Sequence, residues 1–291
     1  MAIADLTVLQ ALRSAQTLGI DRLDAQLMLL HVMGRQANDR AWLMAHDGDT
    51  LSAEQASTFQ AMCRRRLTGE PVAYLVGAKE FFGLALKVDK RVLVPRPDTE
   101  TLVLWSLDVL DEIPPDEASQ LDVIDLGTGS GAIALALAQE LARRGRHAHV
   151  VGLDASAEAL EVARANAKRL KLAVDFVQGR WLATMTGEFH LIASNPPYIA
   201  SADPHLAALT HEPIEALTSG VDGLDDLRLI VRQAGSHLLP GGWLLLEHGY
   251  DQAAAVRQLL TASGFNEVQS RCDLAGIERC SGGRWPARPA K

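Results

Sequence analysis

Cysteine is scarce in this 291-residue chain, and the three present, Cys63, Cys272 and Cys280, are far apart and form no C-x-x-C pair. A disulfide scaffold is therefore excluded, and each thiol reads as a small apolar residue or an idle one rather than a metal ligand. Long hydrophobic runs are missing as well. The nearest approach, Ala132–Ala138, falls far short of the roughly 18 apolar residues of a membrane span. The first residues, Met1-Ala2-Ile3-Ala4-Asp5, have neither the basic segment nor the apolar stretch of a secretory signal. Positive charge is not in excess: 28 Lys and Arg against 36 Asp and Glu leave a formal charge of −8. That weighs against a protein whose main affinity comes from gripping phosphate backbones. What is there is 48% hydrophobic and 22% charged, a globular composition with a substantial core, in a length of about two domains. The expectation is a soluble, cytoplasmic protein without membrane or direct nucleic-acid contact.

The pattern along the chain divides near residue 78. Up to Val76 it reads as helices. One runs from Asp5 to Leu18 and stops at Gly19. A second is capped by Asp21, with Leu23, Leu27 and Leu30 on one face, and ends near Gly34. Ser52-Ala53-Glu54-Gln55 has the form of a capping box and opens a third, which closes on Arg64-Arg65-Arg66 and Gly69. Basic residues in a last turn suit the helix dipole, so the arginines need no partner to explain them. Phe82, Leu84, Leu86 and Val88 then alternate as a strand, and Asp89-Lys90 predicts a turn into a second strand at Arg91–Val94. Pro95-Arg96-Pro97 breaks the pattern, Asp98 is placed to cap a helix over Thr99–Leu110, and a polar stretch, Asp111–Gln120, follows. From Leu121 strands and helices alternate. Strands are expected at Leu121–Leu126, Val150–Leu153, Val174–Val177, Leu191–Ser194, Trp243–Glu247, Phe265–Cys272 and Ile277–Cys280. Helices are expected at Ile133–Leu141, Ala157–Leu170, Leu224–Leu239 and Ala253–Ser263. Such alternation builds a parallel sheet covered on both faces. The last connection is too short for a crossover, so the final strand must run antiparallel.

Two motifs carry chemistry. Asp125-Leu126-Gly127-Thr128-Gly129-Ser130-Gly131 sits where the first strand of this region becomes a helix, and its glycines allow a sharp turn and close approach of a ligand. Asp154 closes the next strand, placed to accept from ribose hydroxyls. The pair reads as a nucleoside site. Gly127-x-Gly129-x-x-Ala132 loosely fits a dinucleotide fingerprint too, and a tight strand–helix turn alone would use the same residues. The acid at Asp125 would repel a pyrophosphate but could meet the ammonium of S-adenosylmethionine, which favours the methyl donor.

The second motif, Asn195-Pro196-Pro197-Tyr198, follows the strand Leu191–Ser194 on the same rim. An amide nitrogen is a poor nucleophile, because resonance of the kind that raises a barrier of roughly 18–20 kcal/mol to peptide rotation removes its lone pair. Drawing both N–H bonds into acceptors restores density on nitrogen. The side-chain oxygen of Asn195 and the backbone carbonyl of Pro196 are two such acceptors. Consecutive prolines stiffen the backbone, and Tyr198 can lie against a planar acceptor. Alignment with the methyl group then does most of the work. No general base, metal or covalent nucleophile is called for. His205 and His211 lie near this corner without a metal-ligand pattern and are assigned to loop or substrate-shaping roles. His147 and His149 read as surface.

Together these residues resemble the class I S-adenosylmethionine-dependent methyltransferases, and within them the bacterial peptide chain release factor glutamine N5-methyltransferases. The similarity extends over nearly the whole chain. It includes Phe81-Phe82-Gly83, Pro95-Arg96-Pro97-Asp98-Thr99-Glu100, the Asp125–Gly131 loop, Asn195–Tyr198, His211-Glu212-Pro213 before Ala216-Leu217, and Leu246-Glu247-His248-Gly249. The resemblance implies an α/β fold: a seven-stranded Rossmann-like domain at 98–291 with its last strand antiparallel, an N-terminal helical substrate-binding domain at 1–78, and a β-hairpin linker at 79–97. It implies that Gly127, Thr128, Gly129, Ser130, Gly131, Asp154, Trp181 and Asn195 hold the cofactor, S-adenosylmethionine. It also implies that Asn195, Pro196, Pro197 and Tyr198 bind the glutamine amide, with Asn195, Pro196 and Tyr198 as catalytic residues. The implied partner is a class 1 release factor, methylated on the glutamine of its Gly-Gly-Gln motif by a monomeric enzyme. Arg180 departs from the family pattern, in which an acid or serine often precedes the tryptophan. A guanidinium has no acceptor for an adenine amino group, which leaves that contact to backbone. Three rivals share part of the pattern: an adenine N6-methyltransferase, a glutamine methyltransferase of a ribosomal protein, and a noncatalytic cofactor-binding factor.

Overall fold

The structure, a computed structural model, describes residues 6–114 and 118–287. It divides into two compact units, one running to Ala78 and including Ala207–His211, the other formed by Lys79–Leu206 and the chain from Glu212 onward.

The first unit is helical: α1 (Val8–Thr17), α2 (Arg22–Val32), α3 (Arg40–Ala45), α4 (Ala53–Leu67) and α5 (Val72–Val76). Ser52 and Gln55 exchange the two hydrogen bonds of a capping box, satisfying backbone donors that the first turn leaves open. Asp21 caps α2 by accepting from the Leu23 amide at 2.7 Å. Helix α1 starts later than its pattern predicts. Its cap is Thr7, which forms a capping box with Gln10, whereas Asp5 lies outside the described residues. Helix α2 turns a partly different face inward. Leu30 is buried as expected and Leu27 half-buried, but Leu23 is exposed and Ala25, Met28 and Leu29 enter the core as well, because α2 packs against α1, α4 and α5. The short α3 was not foreseen; its single fully buried residue, Leu43, gives too little periodicity to read.

A hairpin follows, β1 (Ala78–Phe81) and β2 (Leu84–Lys87). Its turn is Phe82-Gly83, with φ of 51° and 76°, the left-handed pair that matches the twist of a two-residue hairpin. The expected turn at Asp89-Lys90 does form, with the Val92 amide on the Asp89 carbonyl, but Arg91–Val94 is not a strand. Asp98 is no cap either: Pro97–Thr99 forms a 3-10 turn leading directly into α6 (Glu100–Asp111). The proline ring presets this turn, and Asp98 instead lies 3.5 Å from Arg279.

The remaining elements are β3 (Leu121–Leu126), α7 (Ala132–Arg143), β4 (Ala148–Asp154), α8 (Ala157–Leu170), β5 (Asp175–Gln178), β6 (Phe189–Ser194), α9 (Asp225–Ala234), β7 (Leu238–Glu247), α10 (Ala253–Ala262), β8 (Asn266–Cys272) and β9 (Glu278–Arg284). The sheet order is β5-β4-β3-β6-β7-β9-β8, with β9 antiparallel to both neighbours, as the short last connection required. Helix α9 ends five residues before its predicted limit, because Leu238 and Leu239 already belong to β7. Alternate residues of β3 enter opposite cores. Val123 packs with Trp105, Leu135 and Leu245, and Ile124 with Ile192, Ile230 and Val256. Helices α6 and α7 thus cover one face and α9 and α10 the other. The chain leaves β3 toward β4 and later returns to its other side as β6. That reversal opens a crevice at the C-terminal rim, where sheets of this kind bind ligands.

Candidate active site

Both motifs stand on this rim, at the ends of two strands that touch. Leu126 of β3 pairs with Ser194 of β6, so Gly127 and Asn195 are the next residues out on adjacent strands. The Ser194 hydroxyl donates to the Leu126 carbonyl at 2.7 Å, tying the two ends together. Gly127, Gly129 and Gly131 all have positive φ, at 72°, 54° and 84°. At Gly127 a Cβ would only touch the Trp181 ring, at 3.4 Å, so it is the positive φ of 72° that favours glycine there. The loop is fastened to β4: the Gly127 and Thr128 amides both donate to the Leu153 carbonyl, and the Gly129 amide donates to Asp154 Oδ2 at 2.8 Å. Asp154 Oδ1 accepts from the Ser156 amide, and burial raises this carboxyl above its ordinary range.

A cavity of about 740 Å³ opens over these residues, a size suited to a small-molecule cofactor. Gly127, Gly129, Asp154, Trp181, Asn195 and Pro197 line it. Thr128 and Ser130 are buried within the loop, Gly131 immediately precedes α7, and Pro196 and Tyr198 are not among the residues that line the cavity.

Asp125 does not reach the cavity. It is fully buried under the loop, where Oδ2 accepts from the Thr128 hydroxyl at 2.6 Å and from the Ala134 amide at 3.2 Å, one of the open donors of α7. The expected meeting with a ligand ammonium is therefore replaced by a role inside the loop, because the side chain points back into the core. Its other oxygen has no partner among the described residues, and burial pushes the carboxyl up to about 7. An acid whose folded pKa lies above its unfolded value withdraws stability as pH rises from the ordinary carboxylate range through about 7. Asp125→Asn removes that contribution, so the variant's melting temperature relative to wild type should climb between pH 5 and pH 8. A difference that stays flat across paired thermal melts would contradict the burial argument.

Trp181 has φ of 52°, a strained value for a bulky residue, in the 3-10 turn after β5. Its Nε1 donates to Asp226 Oδ1 at 2.9 Å, and Asp226 in turn accepts from the Ser219 hydroxyl at 2.7 Å. Arg180 reaches the same carboxylate at 3.5 Å. Arg180 and Asp226 line a second hollow together with Arg228 and Arg232.

The Asn195 corner is braced from three sides. Asn195 Nδ2 donates to Thr99 Oγ1 at 3.2 Å, which brings the Pro-Arg-Pro-Asp-Thr-Glu segment to the motif. The Tyr198 hydroxyl donates to Glu247 Oε1 at 3.4 Å, and burial, then the Glu247 charge, pushes the phenol well above its usual range. Beyond Tyr198, Ile199 exchanges backbone hydrogen bonds with Leu217 and Ser219, and Gln252 Nε2 donates to the Tyr198 carbonyl at 2.9 Å. Glu212 accepts from the Val94 amide and pairs with Arg96, which ties the Pro-Arg-Pro segment to His-Glu-Pro. The histidines take other parts: His205 pairs with Asp203, and His211 Nε2 meets the Thr68 carbonyl within the first unit.

Sequence reasoning missed Asn166. Fully buried on α8, it brackets Lys87 with both halves of its amide and donates to the Ser130 carbonyl, joining β2 to the glycine loop. The readable signal was an amide inside the apolar stripe of Leu160, Ala163 and Ala167. Thr99, Glu247 and Gln252 were missed as site residues as well. Among the described residues no group of His, Cys, Asp and Glu could hold a metal ion, and no helix is long and apolar enough to cross a membrane.

The methyltransferase domain family matches residues 117–279, and the PrmC N-terminal domain family matches residues 8–77. A 16S rRNA methyltransferase from T. thermophilus, solved in complex with AdoMet and guanosine, has a similar fold. Its TM-score is 0.51 at 18% identity, with 72% of this chain and 49% of that chain covered. The protein is therefore a methyltransferase. Its sequence is 48% identical over 280 residues to the release factor glutamine methyltransferase of Xylella fastidiosa, covering 95% of this chain and 98% of that protein. It is 46% identical over 260 residues to the one from Coxiella burnetii, covering 89% and 90%. The chain belongs to the release factor glutamine methyltransferase family.

Proposed function

We propose that this protein methylates the side-chain amide nitrogen (N5) of the glutamine in the Gly-Gly-Gln motif of class 1 peptide chain release factors, with S-adenosylmethionine as the methyl donor. The observation that carries the reading is the juxtaposition of Gly127 and Asn195 at paired strand ends over one cavity. The residues suit the cofactor. Asp154 offers carboxylate lone pairs for ribose hydroxyls, the positive-φ glycines leave backbone open to the ligand, and Trp181 offers an apolar wall. When bound, S-adenosylmethionine supplies an electrophilic methyl group, so the chain itself need provide neither metal nor nucleophile.

The protein's task is then to make an amide nitrogen reactive and to aim it. Asn195 Oδ1 has no hydrogen bond among the described residues, since Thr99 engages only the Nδ2 side of that amide. Oδ1 and the Pro196 carbonyl take the two hydrogens of the glutamine amide, which raises electron density on its nitrogen. Proline at 196 and 197 prevents competing backbone donors at the corner. Alignment supplies most of the acceleration, and the proton left on the product nitrogen passes to water. The cytoplasm is the compartment in which such a partner is met, and a monomer suffices for the chemistry.

The test is mass spectrometry of a release factor after incubation with the protein and S-adenosylmethionine. One added methyl group on the Gly-Gly-Gln glutamine is the expected result. Methylation found only on DNA, or only on a ribosomal protein, would overturn the reading.

A further inference from the structure

Glu247 ends β7 and is 1% exposed, yet its carboxyl touches the reactive corner from behind. Oε1 accepts from the Tyr198 hydroxyl at 3.4 Å, the Thr99 side chain favours the charged form of the same carboxyl, and Oε2 is buried with no partner among the described residues. Thr99 is itself 3% exposed and meets Asn195 Nδ2 with its oxygen. A hydroxyl has one hydrogen to give, so its direction is decided by its stronger acceptor. An ionised carboxylate can only accept. It takes the Thr99 hydrogen, leaves the Thr99 lone pairs for Asn195 Nδ2, and so fixes which edge of the Asn195 amide is spent and which is free.

We propose that Glu247 is a positioning residue of the reaction, setting the orientation of the Asn195 amide through Thr99 and anchoring Tyr198 at the same time. The inference rests on the reading of Asn195 Oδ1 as an acceptor for the substrate amide. A protonated Glu247 becomes a donor. Thr99 then has no obligation to turn its hydrogen away from Asn195, and the amide loses its fixed orientation. Burial, with Asp98 nearby, raises the Glu247 carboxyl to about 7, against the opposing pull of Thr99, Tyr198 and Arg279. Across the β7–β9 pair it faces Cys280, whose thiol burial holds in its neutral form. Burial holds the Tyr198 phenol and the Cys280 thiol neutral and Arg279 stays charged, so ionisation of Glu247 switches the corner on as pH rises.

The experiment compares wild type, Glu247→Gln, Thr99→Val and Thr99→Ser across pH 6 to 9, with release factor as substrate and S-adenosylmethionine binding followed by calorimetry. Wild-type kcat should rise along an acidic limb with its midpoint near the Glu247 value of about 7. Glu247→Gln should lower kcat on the order of 10- to 10²-fold and erase that limb, since small misplacements of a reacting group have effects of this size. Thr99→Val should lower kcat comparably, Thr99→Ser should restore it, and cofactor affinity should stay close to wild type in all. Glu247→Gln with wild-type kcat, or with the acidic limb intact, overturns the proposal. Should Glu247→Gln not fold, Thr99→Val decides in its place: a wild-type kcat and limb overturn the proposal, and their loss supports it. A wild type that binds the cofactor but methylates no release factor overturns the function proposed above, and this inference with it.

Discussion

Asn195→Ala is expected to lower turnover on a release factor by at least about 10²-fold, the scale seen when a hydrogen bond that strengthens in a transition state is removed. The side chain lines the cavity, and its Oδ1 is the unengaged half of an amide whose other half is bound to Thr99. On the proposed mechanism alanine deletes that acceptor and leaves the substrate nitrogen with one hydrogen unengaged, so its lone pair stays delocalised. Cofactor affinity should change much less, because Asp154, Trp181 and the glycine loop are untouched. Single-turnover methylation with calorimetry on the same variant separates the two quantities. Comparable losses in both would mean that Asn195 serves cofactor binding instead of the transfer step.

The second large effect is expected at a residue outside the cavity. Gly223 has φ of 75°, and a Cβ there would lie 2.2 Å from the Tyr198 carbonyl oxygen and 2.8 Å from Gln252 Nε2. These two atoms are bonded to each other, so a methyl group would drive into the bond that fixes the end of the Asn195–Tyr198 corner. Gly223→Ala combines left-handed strain with overpacking and should destabilise the protein by roughly 2–5 kcal/mol. At temperatures where the variant remains folded, its turnover should also fall, since the Tyr198 carbonyl must move. Gly145→Ala is the control: φ is 68° there as well, but nothing lies within 4 Å of the added carbon. Equal melting temperatures for the two variants would show that backbone strain alone accounts for the effect at 223.

What the sequence disclosed, and what it concealed, follows from how local each feature is. Strand Leu121–Leu126 and helix Ala157–Leu170 coincide with their patterns to the residue, because buried strands bounded by glycine loops and capped helices are specified by neighbours in the chain. The hairpin was misplaced because its turn uses Phe82 at positive φ, which no composition rule anticipates, while Asp89-Lys90 advertises a turn that joins no second strand. The motifs Gly127–Gly131 and Asn195–Tyr198 were legible because each is contiguous. Their supports were not. Thr99 meets Asn195 across 96 positions, Tyr198 meets Glu247 across 49, and Trp181 meets Asp226 across 45. Asp125 was misassigned for the related reason that its position before a glycine says nothing about which way the carboxyl points. Only the packing of α7 over the loop shows that it serves the Ala134 amide.

The pairing of Leu126 with Ser194 also bears on how this protein can vary. Neighbouring strands sit about 4.8 Å apart whatever their side chains, so the gap between Gly127 and Asn195 is a dimension of the backbone ladder, as on a ruler, and no loop has to measure it. A one-residue slip of β6 would carry Asn195 about 3.3 Å along the rim and turn it to the opposite side of the sheet. A change of length in a surface loop therefore leaves this spacing intact, while an extra residue in β3 or β6 keeps it only if a bulge takes it up, as one does between β6 and β7 near Phe189.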